Sequence, residues 1–426
     1  MSHNDARRGP NRFGTIAFHV VPLRGRVSDD QAPVARVHLA AAFSSILLGT
    51  IYLVVMGASP PRLQEASGPI VLGGFVIAIM GTTRMLLAGM AGRRFVGPRV
   101  LAWVLLGAAA CGAWAPIVAA RASSRVGLAL SLVWSSALLA HITLVVVTVR
   151  GPRLRPPLPE TAEAPHLGKL HHLIEGASLF YGAIAVLALP AAYLGRLSMA
   201  AAVHAVLAGF VTLTIVAIAL HVLPRFAQHR FPARALPVIA PAVVTGPGLL
   251  IVGLAWGPSW VFALGTALEA VGLATFCACA AWLALAGRAR MRPSLAGYAG
   301  ACAALVSGGT IALTFLVGSS PTRLVAAHGL ANVLGFVGLF CIATSTDIYA
   351  PALRAGGKAA WRHGVIVLSL AGTSILVASV AEAMAHDDIV RIALGGYALA
   401  VALHLAGAVA AHLRVSRAAM DSRYAP

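Results

Sequence analysis

VHAVLAGFVTLTIVAIALHVLPRF, residues 203–226, runs from Val203 to Pro224 without a formal charge. An α-helix rises 1.5 Å per residue, so a run of this length crosses the ~30 Å hydrocarbon core of a bilayer. It also pairs its backbone groups internally, as lipid requires. Working outward, apolar runs broken by Arg, Pro and Gly give twelve such spans. They cover roughly 35–57, 68–90, 99–120, 125–149, 173–194, 199–223, 236–256, 260–286, 294–317, 322–346, 363–384 and 388–412. The seventh carries Pro237, Pro241 and Pro247 and is expected to be kinked.

Composition agrees. Of 426 residues, 59% are hydrophobic and 11% charged, and the mean hydropathy is +0.85. Soluble domains are about a quarter charged. A disordered chain, a nucleic-acid-binding domain and a soluble enzyme are excluded, and the partner is the lipid bilayer, with other membrane subunits compatible. The net charge of +19 is distributed unevenly. The termini and even-numbered loops, with their edges, hold 24 Lys and Arg, the odd-numbered loops 6, and Arg36 and Arg84 lie inside spans. The positive-inside rule then places both termini in the cytoplasm of a multi-pass inner-membrane protein. Five cysteines, all in apolar stretches, read as small packing residues rather than a disulfide framework. The polar, basic start of the chain contains no early apolar run, so no cleavable signal peptide is expected.

The second, sixth and tenth spans share a pattern: LGGFVIAIMG (72–81), LAGFVTLTIV (207–216) and VLGFVGLFCI (333–342). Phe75, Phe210 and Phe336 recur at nearly even intervals, each of four spans. His38 and His171 stand four spans apart in similar places, and His141 and His404 eight spans apart. The expected fold is therefore an all-α polytopic membrane protein with twelve transmembrane helices, built as three four-helix units around a pseudo-threefold axis. The divisions are a basic tail (1–34), unit one (35–149), a linker (150–172), unit two (173–286), unit three (287–412) and a tail (413–426).

Fifteen histidines outnumber the thirteen acids. By span direction, His204 and His328 lie in the outer half of the sixth and tenth spans. His38, His171, His221 and His404 lie in the cytoplasmic half. Neutral imidazole is the usual protein ligand for haem iron and copper. His204 and His328 are thus candidate cofactor ligands at one depth, and His38, His171, His221 and His404 candidate metal ligands at the other. Glu269 is an isolated acid in the eighth span, able to carry a proton or orient a histidine. Glu175 sits near the cytoplasmic end of the fifth span and Glu382 near the outer end of the eleventh. Arg84 is expected to snorkel to the cytoplasmic surface, and Tyr181 to pack in the core with one hydrogen-bond partner.

Residues 203–226 resemble the helix of the haem-copper oxidase and nitric oxide reductase superfamily that opens on a metal-binding histidine and closes on a Pro-containing turn. They are also similar to the related NnrS proteins, as is GGFVIAIMGTTRMLLAGMAGRR (73–94). VAAHGLANVLGF (325–336) resembles the oxidase helix that carries two haem ligands as His-x-His. The resemblance implies the threefold twelve-helix plan, bound haem or copper, and a place in nitric oxide or respiratory metabolism. The chain departs from these patterns. Leu330 occupies the second His-x-His position, Ala202 precedes His204, Pro69 stands where NnrS has a histidine, and the seventh span has no histidine. A complete oxidase copper site is therefore not expected, and enzymatic activity is left open. A metal-free permease using Glu269 and the histidines as proton carriers, or an assembly scaffold, are the alternative readings.

Overall fold

The structure is a computed structural model describing residues 32–90, 95–152, 165–227, 229–257, 259–286, 293–315, 322–353 and 358–424. The N-terminal tail expected for 1–34 lies almost wholly outside the described residues, as does most of the 150–172 linker. The described residues contain no strand. Among the described residues, twelve helices are long and apolar enough to cross a membrane. They are α1 (Pro33–Met56), α2 (Pro60–Arg84), α3 (Arg99–Arg121), α4 (Ser124–Arg150), α5 (Gly168–Tyr193), α6 (Met199–Pro224), α7 (Ala233–Trp256), α8 (Ser259–Ala286), α9 (Pro293–Thr314), α10 (Thr322–Thr346), α11 (Trp361–Ala383) and α12 (Asp387–Ala411). The chain is a multi-pass membrane protein. Several helices run past their apolar parts: that of α5 begins at Pro165 and that of α11 at Lys358, while those of α2, α6, α10 and α12 continue to Met90, Ala227, Leu353 and Tyr424. α7 passes through Pro241 and Pro247 without interruption.

The packing has threefold order. α2, α6 and α10 are the most enclosed, with 89%, 78% and 67% of their apolar windows buried, against at most 56% in any other span. Each packs against the helix before it, α1, α5 or α9. The units close into a ring through α4 on α5, α8 on α9 and α12 back on α1. At the centre each inner helix opens into a π-helical stretch at Gly68–Phe75, Ala205–Thr212 and Leu330–Gly338, and these three touch one another pairwise. The repeated Phe75, Phe210 and Phe336 fall within them, all almost completely buried.

A π turn has i→i+5 geometry and misaligns the backbone ladder. In the first and third stretches, neighbouring helices supply partners for the carbonyls. Trp134 Nε1 of α4 donates to the Leu72 carbonyl at 3.3 Å, and the Tyr397 hydroxyl of α12 donates to the Leu334 carbonyl at 3.1 Å. Ser45 Oγ of α1 donates to the Pro69 carbonyl at 2.8 Å. Trp134 and Tyr397 stand at the same spacing as His141 and His404, so corresponding positions of units one and three do the same work. Lipid supplies little hydrophobic drive between helices, and close approach over small residues takes its place. Gly81 shows this at the α1–α2 crossing, where an added Cβ would fall 2.5 Å from His38 Cβ.

Candidate metal centre

His171 and Glu175 are four residues apart on α5, which puts both side chains on one helix face. α6 packs on that face and brings His221 to them. His221 Nε2 lies 3.0 Å from Glu175 Oε1, and His171 Nε2 lies 3.7 Å from the same oxygen. The His171 and His221 rings are 4.0 Å apart between centroids. One ligand atom from each of the three residues lies within 4.8 Å of the other two. No other group of three or more His, Cys, Asp or Glu among the described residues meets that test.

The surroundings fix the three groups. His171 Nε2 is also 3.3 Å from the Ala217 carbonyl of α6. His172 Nδ1 holds the other carboxylate oxygen, Glu175 Oε2, at 2.8 Å. The side chains of His171, Glu175 and His221 are 16%, 39% and 36% exposed, so the group is reachable from the end of the bundle rather than sealed in it. Two imidazoles and one carboxylate form a donor set suited to Zn²⁺ or Fe²⁺, with coordination positions left over for water or a substrate. His172 stands where an outer partner orients a ligating carboxylate.

The four histidines expected on this side do not share one site. His171 and His221 meet, while His38 and His404 lie elsewhere. His38 Nδ1 donates to the Val34 carbonyl at 2.8 Å. His404 Nε2 is 2.5 Å from Ser345 Oγ, and its ring meets Phe43 edge-on at 4.7 Å. The third member of the group is Glu175, a residue singled out for depth but not as a ligand. Its signal was the His-x-x-x-Glu spacing of 171–175.

On the opposite side, His204 Nδ1 donates to the Ala200 carbonyl at 2.8 Å and His328 Nδ1 to the Gly308 carbonyl at 2.9 Å. Asn332 Nδ2 lies 3.1 Å from the same His328 nitrogen. Each histidine stands at or just before the start of a π-helical stretch. Anchoring Nδ1 on a carbonyl leaves Nε2 as the ligating nitrogen, the usual arrangement of a metal-bound histidine. Both rings are thereby held through Nδ1.

Other expectations resolve individually. Arg84 does not snorkel: it is 1% exposed, with its guanidinium 4.3 Å from the centre of the Phe95 ring. The expected reach to water is replaced by a stacking contact inside the bundle. The Tyr181 hydroxyl donates to the Val244 carbonyl of α7 at 2.8 Å, the single partner expected of it. Glu382 lies 3.6 Å from Arg323, which also binds Asp387 at 2.5 Å. Glu65, on the same side, binds Tyr52, Arg62 and Arg121.

Neither a scan against protein-family models nor a search of the curated proteins finds a match to this chain.

Proposed function

We propose that this protein is a membrane metalloprotein that takes up a divalent transition-metal ion between α5 and α6. The observation that carries this reading is the convergence of His171, Glu175 and His221 from two helices. Zn²⁺ bonds to nitrogen or oxygen are about 2.0–2.2 Å long. A metal would replace the present carboxylate–imidazole contacts with such bonds. A bound ion would supply Lewis acidity at the membrane boundary. The residues hold and orient it: His171 and His221 as neutral donors, Glu175 as the charge-compensating ligand, and His172 as the group that fixes Glu175. The 24-to-6 charge split supports placing this centre on the cytoplasmic side of the inner membrane.

A second reading, a haem held between α6 and α10 by His204 and His328, is favoured by the carbonyl anchoring of both Nδ1 atoms. It accords with kinship to the NnrS and haem-copper oxidase proteins and a role in nitric oxide or respiratory metabolism. Metal analysis and absorption spectroscopy on protein purified in detergent test the two readings. The first expects about one equivalent of retained or titratable divalent metal, lost in Glu175→Gln. The second expects a haem Soret band, lost in His204→Ala and in His328→Ala.

A further inference from the structure

The first unit encloses a different polar cluster, independent of the metal centre. His38 (α1), Arg84 (α2) and His141 (α4) are 0%, 1% and 2% exposed. Each carries a buried nitrogen without a hydrogen-bond partner: His38 Nε2, Arg84 Nε and His141 Nδ1. They converge. His38 packs on Gly81, one turn before Arg84. Arg84 and His141 share the Phe95 ring, with centroid distances of 4.3 Å and 6.1 Å. No acidic side chain pairs with Arg84 among the described residues.

An arginine keeps its charge, and leaving a charge unpaired inside a membrane bundle is costly. Three orphaned nitrogens around that charge are the mark of a missing partner. We infer that His38, Arg84 and His141 form a binding site for a small planar monoanion that carries its own hydroxyl, the class to which bicarbonate belongs. One negative charge neutralises Arg84. The guanidinium edge matches the two oxygens of a planar carboxylate-type group. His38 Nδ1 already donates to Val34, so its Nε2 is an acceptor, and the ligand must donate a proton to it. A hydroxyl on the anion does this; nitrate or formate cannot. Size is limited by Phe95 against Arg84 and by Trp103, whose ring lies 6.3 Å from that of His38.

The test is calorimetric titration of the detergent-purified full chain with sodium bicarbonate, sodium nitrate and sodium phosphate at constant ionic strength and mildly alkaline pH, with thermal unfolding as a second readout. The expected result is saturable bicarbonate binding that raises Tm, with nitrate and phosphate weaker by about tenfold or more. Arg84→Met should abolish the response, yet the ligand-free variant should be at least as thermostable as the wild type, because an unpaired buried charge has been removed. His141→Phe should fold, since Phe276 holds the corresponding position of unit two, at the same offset that relates Phe75 to Phe210. It should weaken binding by about 10- to 100-fold, the range for losing one charge-assisted hydrogen-bond partner. No saturable bicarbonate response in the wild type, or an equal one in Arg84→Met, would overturn the site. Nitrate or phosphate binding as tightly as bicarbonate would overturn the assigned ligand class.

Discussion

Units one and two start from the same histidine and build opposite environments around it. His38 on α1 and His171 on α5 occupy corresponding places in the repeat. One turn later, unit two has Glu175, while unit one has Ala42 at the same spacing, fully buried. On the following helix, unit two contributes His221 and unit one contributes Arg84. Unit two thereby assembles two imidazoles around a carboxylate, a donor set for a cation. Unit one assembles two imidazoles around a guanidinium with no carboxylate, a donor set for an anion. The scaffold brings the same helices together in both units, but the side chains that differ are not at matched positions: at the offset that relates Phe75 to Phe210, Arg84 corresponds to Ala219 and His221 to Leu86.

The largest expected effect comes from removing the charge that separates the two. Glu175→Gln keeps the size of the side chain and removes its negative charge. Metal affinity should fall by more than the 10- to 100-fold typical of losing an orienting partner, as read by titration with Zn²⁺. Acidification should act in the same direction, because His171 and His221 must be deprotonated to ligate. Metal release measured against pH would therefore be complete at acid pH and absent at alkaline pH. A smaller change is expected from His172→Ala, which leaves all three ligands but frees the Glu175 Oε2 oxygen held at 2.8 Å. Affinity should drop by about 10- to 100-fold. Equal losses in His172→Ala and Glu175→Gln would mean that His172 is itself a ligand.

Two structural substitutions probe the shared scaffold. Gly81→Ala should destabilise the protein by about 1–3 kcal/mol, seen as a lower Tm, because the new Cβ meets His38. The same change should weaken anion binding in unit one and leave metal binding in unit two intact. Tyr397→Phe should cost about 1–3 kcal/mol, since it leaves the buried Leu334 carbonyl of a π turn unpaired.

The sequence carried the fold because the bilayer imposes a length and a charge rule on every span, and both can be counted residue by residue. It also carried the threefold plan, through three phenylalanines that lie in the three central π-helical stretches. The π geometry itself was not legible. In the first and third stretches its carbonyls take donors, Trp134 and Tyr397, from the last helix of the same unit, far along the chain from the carbonyls they serve. Two of the three members of the metal group, His171 and His221, were legible by depth. Glu175 was visible in the His-x-x-x-Glu spacing, yet depth alone could not separate His171 and His221 from His38 and His404, which share their level but face other neighbours. The burial of Arg84 was hidden for a similar reason. A charged residue at the end of an apolar span reads as surface-seeking until the ring of Phe95, further along the chain, is seen to cover it.

Metal analysis of the full chain purified without chelator, then reloaded with Zn²⁺, tests the central claim most directly. About one equivalent of Zn²⁺ is expected per wild-type chain and none stably bound to Glu175→Gln, with the two proteins equally folded by circular dichroism. A wild-type chain that retains no metal after reloading, or a Glu175→Gln variant that retains it undiminished, would contradict the assignment of His171, Glu175 and His221 as a metal centre.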